Sequence, residues 1–102
     1  MTGTVRHPAW CEPSRCDVSA DRPTGTHCSR PVVLGPYPPS TVITEVSLAQ
    51  SPPIAGYPWS GRPYVAMALR DSEEDLCLVP LVIELASDLG RVLIGFGREA
   101  DG

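Results

Sequence analysis

The sequence contains no lysine, and all eight of its basic residues are arginines. Aromatic residues are also scarce, at 6% of the 102 residues. The longest apolar run extends only from Leu76 to Ile83, whereas a membrane-crossing helix needs about 20 apolar residues. The N-terminus is polar and reaches Pro8 without an apolar stretch, so no signal peptide is indicated. These absences predict a cytoplasmic chain that does not cross a membrane.

Several catalytic and ligand-binding signatures are missing as well. The chain has no glycine-rich phosphate loop, no HExxH, no GxSxG and no internal repeat. Its net charge is −4, and residues 32–102 hold four arginines against nine acidic residues. An acidic surface of this kind repels phosphate backbones. A cysteine nucleophile with His27 or His7 as its base would lack an identifiable orienting group, so we expect no enzymatic activity.

The first third of the chain is rich in soft metal ligands. Residues 1–31 contain three of the four cysteines and both histidines, among prolines that interrupt regular structure. In a reducing compartment, clustered cysteines are more often metal ligands than disulfides. We therefore predict a Zn²⁺ site that orders this segment, with the ligands Cys11, Cys16, His27 and Cys28.

The same segment allows other interpretations of its ligands and of its cysteines. His7 is the substitute for His27, because adjacent residues rarely both point at one ion. Asp17 and Asp21 are weaker ligand candidates. A Cys11–Cys16 or Cys16–Cys28 disulfide, or free thiols, would be the alternatives to a metal site. Cys77 lies between two leucines, and we expect it in the packed interior, outside the site.

Hydrophobic patterning predicts an α+β fold in one domain, residues 1–102. Residues 1–31 form an irregular metal-binding loop, residues 32–79 form strands and loops, and residues 80–99 form a helix that begins at Pro80. Strands are expected at 41–49, 64–70 and 75–79, the last two as an antiparallel hairpin, with a short apolar piece at 32–34. This pattern predicts an antiparallel sheet of three or four strands, packed by one long C-terminal helix.

The predicted helix is apolar over more of its surface than one sheet requires. One stripe, which we expect to pack on the sheet, consists of Leu81, Leu85, Leu89, Val92, Leu93 and Phe96. A second stripe contains small residues, and interior glycines are tolerated where another backbone approaches closely. This second stripe predicts an interface with a second copy of the chain or another protein partner, or else a contact with loops of the same chain. Its residues are Ile83, Ala86, Gly90, Ile94 and Gly97.

Aromatic residues and arginines suggest an alternative function. Trp10, Tyr57, Trp59 and Tyr64 would form a stacking platform if they lay together, and residues 1–31 carry four arginines. A nucleic-acid-contacting zinc protein is therefore the alternative hypothesis. In the simpler interpretation, Trp10 packs beside the metal loop and the other aromatic residues cover the sheet.

Two segments of the chain resemble a known group of proteins. Pro8-Ala9-Trp10-Cys11 with the following Cys16, and the segment from Gly25 to Pro31, are similar to small actinobacterial proteins of unknown function that open with a Pro-x-Trp-Cys stretch. The resemblance covers residues 1–31 by motif and the remainder by layout. It implies a cytoplasmic accessory protein that binds metal. Together these observations predict a non-catalytic, zinc-stabilised binding or regulatory interaction module.

Overall fold

The structure is a computed structural model that describes residues 6–19, 21, 25–53, 55–56, 60–71 and 74–102. It contains a short 3₁₀ helix, Pro13–Arg15, and an antiparallel sheet followed by one C-terminal helix. The predicted α+β fold is thereby confirmed. The strands are β1 (His27–Cys28), β2 (Val32–Leu34), β3 (Val42–Gln50), β4 (Tyr64–Asp71) and β5 (Glu74–Val82), and the helix is α1 (Ile83–Asp101).

The sheet has five strands where three or four were expected. The additional strand is β1, which lies near the end of the predicted metal-binding loop, residues 1–31. The main strand order is β1-β3-β4-β5, and β2 also pairs with β3. Since β4 occupies one side of β3, both β1 and β2 lie along its other side. The strand His27–Cys28 is therefore fixed to the end of β3, opposite Gln50 and Ala49.

Strand register divides the sheet into two chemically different faces, because side chains alternate along a strand and paired residues share a face. One face is mixed: it carries Glu45, Ser47, Tyr64 and Arg70 among apolar residues that include Val33, Ile43, Leu78 and Ala49, the last buried at 3% exposure. We call the other one the apolar face. Its polar positions include Thr44 and Asp71. Its apolar members are half-buried or exposed: Val32, Leu34, Val42, Val46, Leu48, Val65, Met67, Leu69, Cys77, Val79 and Leu81.

Pro80 does not open the helix as predicted but lies within β5, where it is paired with Ala66. Among the described residues β5 pairs only with β4, so it is an edge strand, where a missing N–H is tolerated. The predicted β4–β5 hairpin is confirmed. The helix instead begins at Ile83, with Glu84 in its first turn and Arg98 in its last, as the helix dipole favours.

The helix α1 contacts β4 and β5, and its half-buried residues, Ala86, Leu89 and Gly90, all lie in its first half. Every residue from Arg91 onward is exposed. The prediction that the whole leucine stripe packs on the sheet was therefore wrong. Leu81 belongs to β5, and four members of the stripe are exposed by about half or more: Leu85 51%, Val92 49%, Leu93 58% and Phe96 62%.

Candidate metal centre

Two tight turns present three of the site residues. The amide of Cys11 donates to the carbonyl of Pro8 at 2.9 Å, so His7 and Cys11 flank one turn. The 3₁₀ helix Pro13–Arg15 then reverses the chain, and Cys16 ends it by donating its amide to Pro13. Pro13 opens this helix because a proline needs no N–H partner at a first helical position.

The fourth site residue, His27, comes from β1 and is positioned by the sheet. Three backbone contacts tie the turns to this strand. The amide of Glu12 donates to the carbonyl of Cys28 at 2.8 Å, that of Asp17 donates to Thr26 at 3.1 Å, and Cys11 forms an isolated bridge with Ser29. Ser29 in turn exchanges hydrogen bonds with Leu48 of β3 at 2.8 Å. The site is therefore anchored to the longest strands through backbone hydrogen bonds.

The ligand atoms of His7, Cys11, Cys16 and His27 all lie within 4.8 Å of one another. His7 Nδ1 is 3.5 Å from Cys11 Sγ and 3.6 Å from Cys16 Sγ. His27 Nδ1 is 3.6 Å and 3.4 Å from the same two sulfur atoms. A tetrahedral zinc, with bonds of about 2.3 Å to sulfur and about 2.05 Å to nitrogen, separates such ligand atoms by about 3.6 Å. The four distances therefore fit one tetrahedral ion.

The orientation of the side chains also suits a metal ion. The imidazole rings of His7 and His27 have centroids 5.1 Å apart and planes 86° apart, so both Nδ1 atoms approach the same pair of sulfurs from different directions. The amide of Val18 donates to Cys16 Sγ at 3.3 Å. A hydrogen bond of this kind holds the sulfur atom in a fixed orientation.

Cys28 lies outside this cluster, and strand geometry explains why. His27 and Cys28 are neighbours in β1, opposite Gln50 and Ala49 respectively. Adjacent residues of a strand point to opposite faces, so His27 reaches the cluster while Cys28 is directed to the face that carries Ala49. Burial raises the pKa of the Cys28 thiol, as does the nearby carboxylate of Asp17.

His7 enters the cluster beside His27 rather than in its place. The sequence contained a signal for it, since His7 precedes Pro8 and stands four residues before Cys11, the separation that one tight turn brings together. Of the adjacent residues His27 and Cys28, only His27 belongs to the cluster, as expected for neighbours that rarely bind one ion together. Cys28 is the residue left out. The carboxylates of Asp17 and Asp21 are not members of the cluster.

The ionisation of the cluster is shaped by burial. Burial lowers the pKa of His27, and the neighbouring His7 lowers it further. At neutral pH the imidazole is therefore unprotonated, which leaves a lone pair for a metal. Burial, and next the Cys16 thiol, raise the pKa of Cys11. A metal that binds here must displace the thiol proton.

All four cysteines are free in this structure, so neither of the alternative disulfides is present. Cys77 is exposed on β5 and lies outside the cluster. Its expected place in the packed interior was wrong, because β5 is an edge strand and the apolar face is open there. Of the proposed aromatic platform, Trp10 and Tyr64 are half-buried, while Tyr57 and Trp59 lie outside the described residues.

Ion pairs connect the metal loop with the sheet and restrict its arginines. Arg15 lies 3.6 Å from the half-buried carboxylate of Glu45, which also binds Arg70 across the sheet. Arg30 lies 3.6 Å from Glu12. Arg22, a further member of the predicted basic segment, lies outside the described residues.

Comparison with protein-family models, curated proteins and solved structures finds no match to this chain. Across the part of the chain that the structure describes, no helix is both long enough and apolar enough to cross a bilayer. The geometry of the cysteine–histidine cluster is therefore the feature that indicates a function.

Proposed function

We propose that this protein is a small, non-catalytic interaction module whose N-terminal loop is stabilised by a zinc ion. The observation that carries the proposal is the set of four sulfur–nitrogen distances, 3.4 to 3.6 Å, among His7, Cys11, Cys16 and His27. Four unrelated side chains on two turns and a strand would rarely converge on tetrahedral spacing without a shared ligand.

The donor chemistry supports zinc over other common ions. Two thiolates and two imidazoles in a tetrahedron suit Zn²⁺, whereas Mg²⁺ and Ca²⁺ prefer oxygen ligands in larger coordination shells. No carboxylate belongs to this cluster in the described residues. A reducing cytoplasm, the location that we propose, would keep both thiols available to the ion.

The number of protein ligands supports a structural role. Catalytic zinc sites usually have three protein ligands and leave one position for water or substrate, whereas four protein ligands close the coordination shell. Here four side chains share one centre. The ion would therefore supply folding free energy to the loop rather than activate a substrate.

The nucleic-acid alternative has less support. Arg15 and Arg30 already pair with Glu45 and Glu12, and the chain is acidic overall, with a net charge of −4. Salt-dependent retention of the zinc-loaded protein on nucleic acid would favour this alternative. We propose instead that the recognition surface is apolar and faces protein, in an accessory protein like those with a Pro-x-Trp-Cys opening.

Metal analysis of the purified protein tests the proposal. We expect about one zinc per chain by elemental analysis, and X-ray absorption at the zinc edge should show two sulfur and two nitrogen neighbours at about 2.3 and 2.05 Å. Cys77→Ser is a control that should retain the metal, because Cys77 lies outside the cluster. A protein that stays fully folded and metal-free in excess chelator would refute the proposal.

A further inference from the structure

The chain exposes far more surface than a compact protein of its size. Its accessible surface is 7670 Å², whereas a compact monomer of 10.9 kDa has about 5,600 Å². The excess is about 2,000 Å² for one chain. Each side of an obligate dimer interface buries roughly 1,000 to 2,500 Å², so even half of this excess would suffice for a stable dimer.

Two apolar surfaces contribute to this exposure. One is the apolar face of the sheet, all of whose members remain half-buried or exposed. The other, which we call the distal helix surface, consists of Val92, Leu93 and Phe96 on one side of the helix, each exposed by 49% to 62%. Monomeric proteins rarely leave contiguous apolar areas of this size open to water.

We infer that a second copy of this chain covers both surfaces, with the distal helix surface of each copy packed on the apolar face of the other. The inference deepens the proposed function, on which it rests, by naming the partner of the module. A twofold arrangement is self-complementary. It would cover two helices and two sheet faces in a single association, whereas an unrelated partner would have to match two separate surfaces.

The dimensions of the chain agree with this exchange. Its principal extents are 60 × 29 × 26 Å. A nine-residue strand such as β5 spans about 30 Å, and a 19-residue helix spans about 28 Å. Strand and helix placed end to end thus approach the long extent, so the distal helix projects beyond its own sheet. It is also long enough to cross the sheet of a partner.

The apolar face has a depression in which the helix side chains of the second copy can pack. Val32, Val46, Leu48 and Val65 line a shallow depression on it. The paired rows at its centre are uncharged, with Val46 opposite Met67 and Leu48 opposite Val65. Covering these two rows with a leucine or phenylalanine buries no charge within them. Arg30 also lines the depression, but its side chain is 83% exposed and need not enter the interface. Asp88 and Arg91 pair with each other on the helix and need not enter the interface.

Light scattering of the zinc-loaded full chain, with two charge variants, tests the exchange. The wild type should have twice the chain mass of 10.9 kDa at micromolar concentration. Leu93→Glu on the helix and Val32→Arg on the sheet should each raise the dimer dissociation constant at least about 100-fold, because each places a charge in an apolar contact.

Matched controls separate the interface from general effects of charge. Val33→Arg changes a neighbouring residue with nearly the same exposure, 56% against 57% for Val32, on the opposite face of the same strand. Ser87→Glu adds the same charge to an exposed position on the polar side of the helix. Both controls should remain dimeric.

Mixing the two disruptive variants tests reciprocity. In a heterodimer of Leu93→Glu with Val32→Arg, one helix–sheet contact is wild type, and the other brings the new glutamate next to the new arginine. Dimers should therefore reappear when the two variants are mixed. A dimer of helices alone would be broken by Leu93→Glu but not by Val32→Arg. A dimer of sheets alone would show the reverse, and either result would overturn the exchange.

Separate readouts distinguish the failure of this inference from that of the proposed function. A concentration-independent mass of one chain, with one zinc bound, would refute the second copy while leaving the metal module intact. A dimer that contains no zinc would refute the metal proposal and retain the interface. Association of the zinc-loaded monomer with phospholipid vesicles or another protein, without self-association, would also overturn the inference.

Discussion

At the scale of single residues, His7 and Cys28 exchange the roles that their positions suggest. His7 stands apart from the other candidates in sequence, yet the turn that ends at Cys11 brings its Nδ1 to 3.5 Å from that thiol. Cys28 is adjacent to His27 but is turned away by strand alternation. The difference between neighbours in sequence and neighbours in space therefore determines the ligand set.

Replacing these two residues gives opposite predictions. His7→Ala should lower zinc affinity at least about 100-fold, because a four-coordinate site loses one protein ligand. Cys28→Ser should retain one zinc per chain, since its sulfur lies outside the cluster. Competition with a chromophoric chelator measures both variants. Loss of zinc from Cys28→Ser, with retention by His7→Ala, would restore the ligand set predicted from sequence.

Zinc affinity should increase with pH above neutrality. The pKa of Cys11 is raised by burial, so its thiol is protonated at pH 7 and zinc must displace that proton. The pKa of His27 is lowered by burial, so its imidazole is already neutral there and releases none. Between pH 7 and 8 the apparent dissociation constant should fall at least about tenfold, one decade for each proton released.

Calorimetry in two buffers of different ionisation enthalpy should register this proton release directly. An apparent zinc affinity that does not change between pH 7 and 8 would contradict a thiolate ligand set. Cys77→Ser serves as the reference protein, because its exposed thiol takes no part in the cluster.

At the scale of elements, the boundary between β5 and the helix lies further along the chain than the pattern of apolar residues predicts. Leu81 and Pro80 belong to β5, and α1 begins at Ile83. Over an apolar run as short as residues 76–83, the pattern of apolar residues does not distinguish a helix from a strand. Pairing with β4 decides between them, because it satisfies the backbone groups along one side of residues 74–82.

Gly90→Ala tests the small-residue stripe of α1. No atom outside the helix backbone lies within 4 Å of a methyl group built at Gly90. Alanine should therefore raise the free energy of unfolding by up to about 1 kcal/mol through helix propensity. Thermal and urea unfolding measure the change. If Gly90→Ala instead lowers the stability and weakens the dimer, the backbone of a partner packs against Gly90. This is the interface that the sequence predicts for the second stripe, Ile83, Ala86, Gly90, Ile94 and Gly97.

At the scale of the whole molecule, we propose that stability is divided between a paired sheet and a loop that depends on a metal ion. Ala49, at 3% exposure, is the one buried hydrophobic residue among those the structure describes. A chain with so little interior has to gain folding free energy elsewhere, and small domains commonly use metals or oligomerisation. The zinc and the second copy that we propose would supply these two sources.

Chelation of the metal should therefore unfold one part of the molecule before the other. We expect amide hydrogen exchange to increase after chelation at Glu12 and Asp17, whose amides donate to Cys28 and Thr26. Amides of β3 and β4, which pair along eight residues, should stay protected. Simultaneous loss of protection throughout the chain would show instead that loop and sheet fold as one unit.

The sequence by itself determined the antiparallel sheet, the C-terminal helix and the concentration of soft ligands in residues 1–31, because these follow from local periodicity and composition. Only the tertiary structure decided that His7 joins Cys11, Cys16 and His27, that Pro80 belongs to a strand, and that the distal helix is exposed. Each of these depends on contacts between residues distant in sequence. Strand register and turn direction set such contacts, and a local pattern does not encode them.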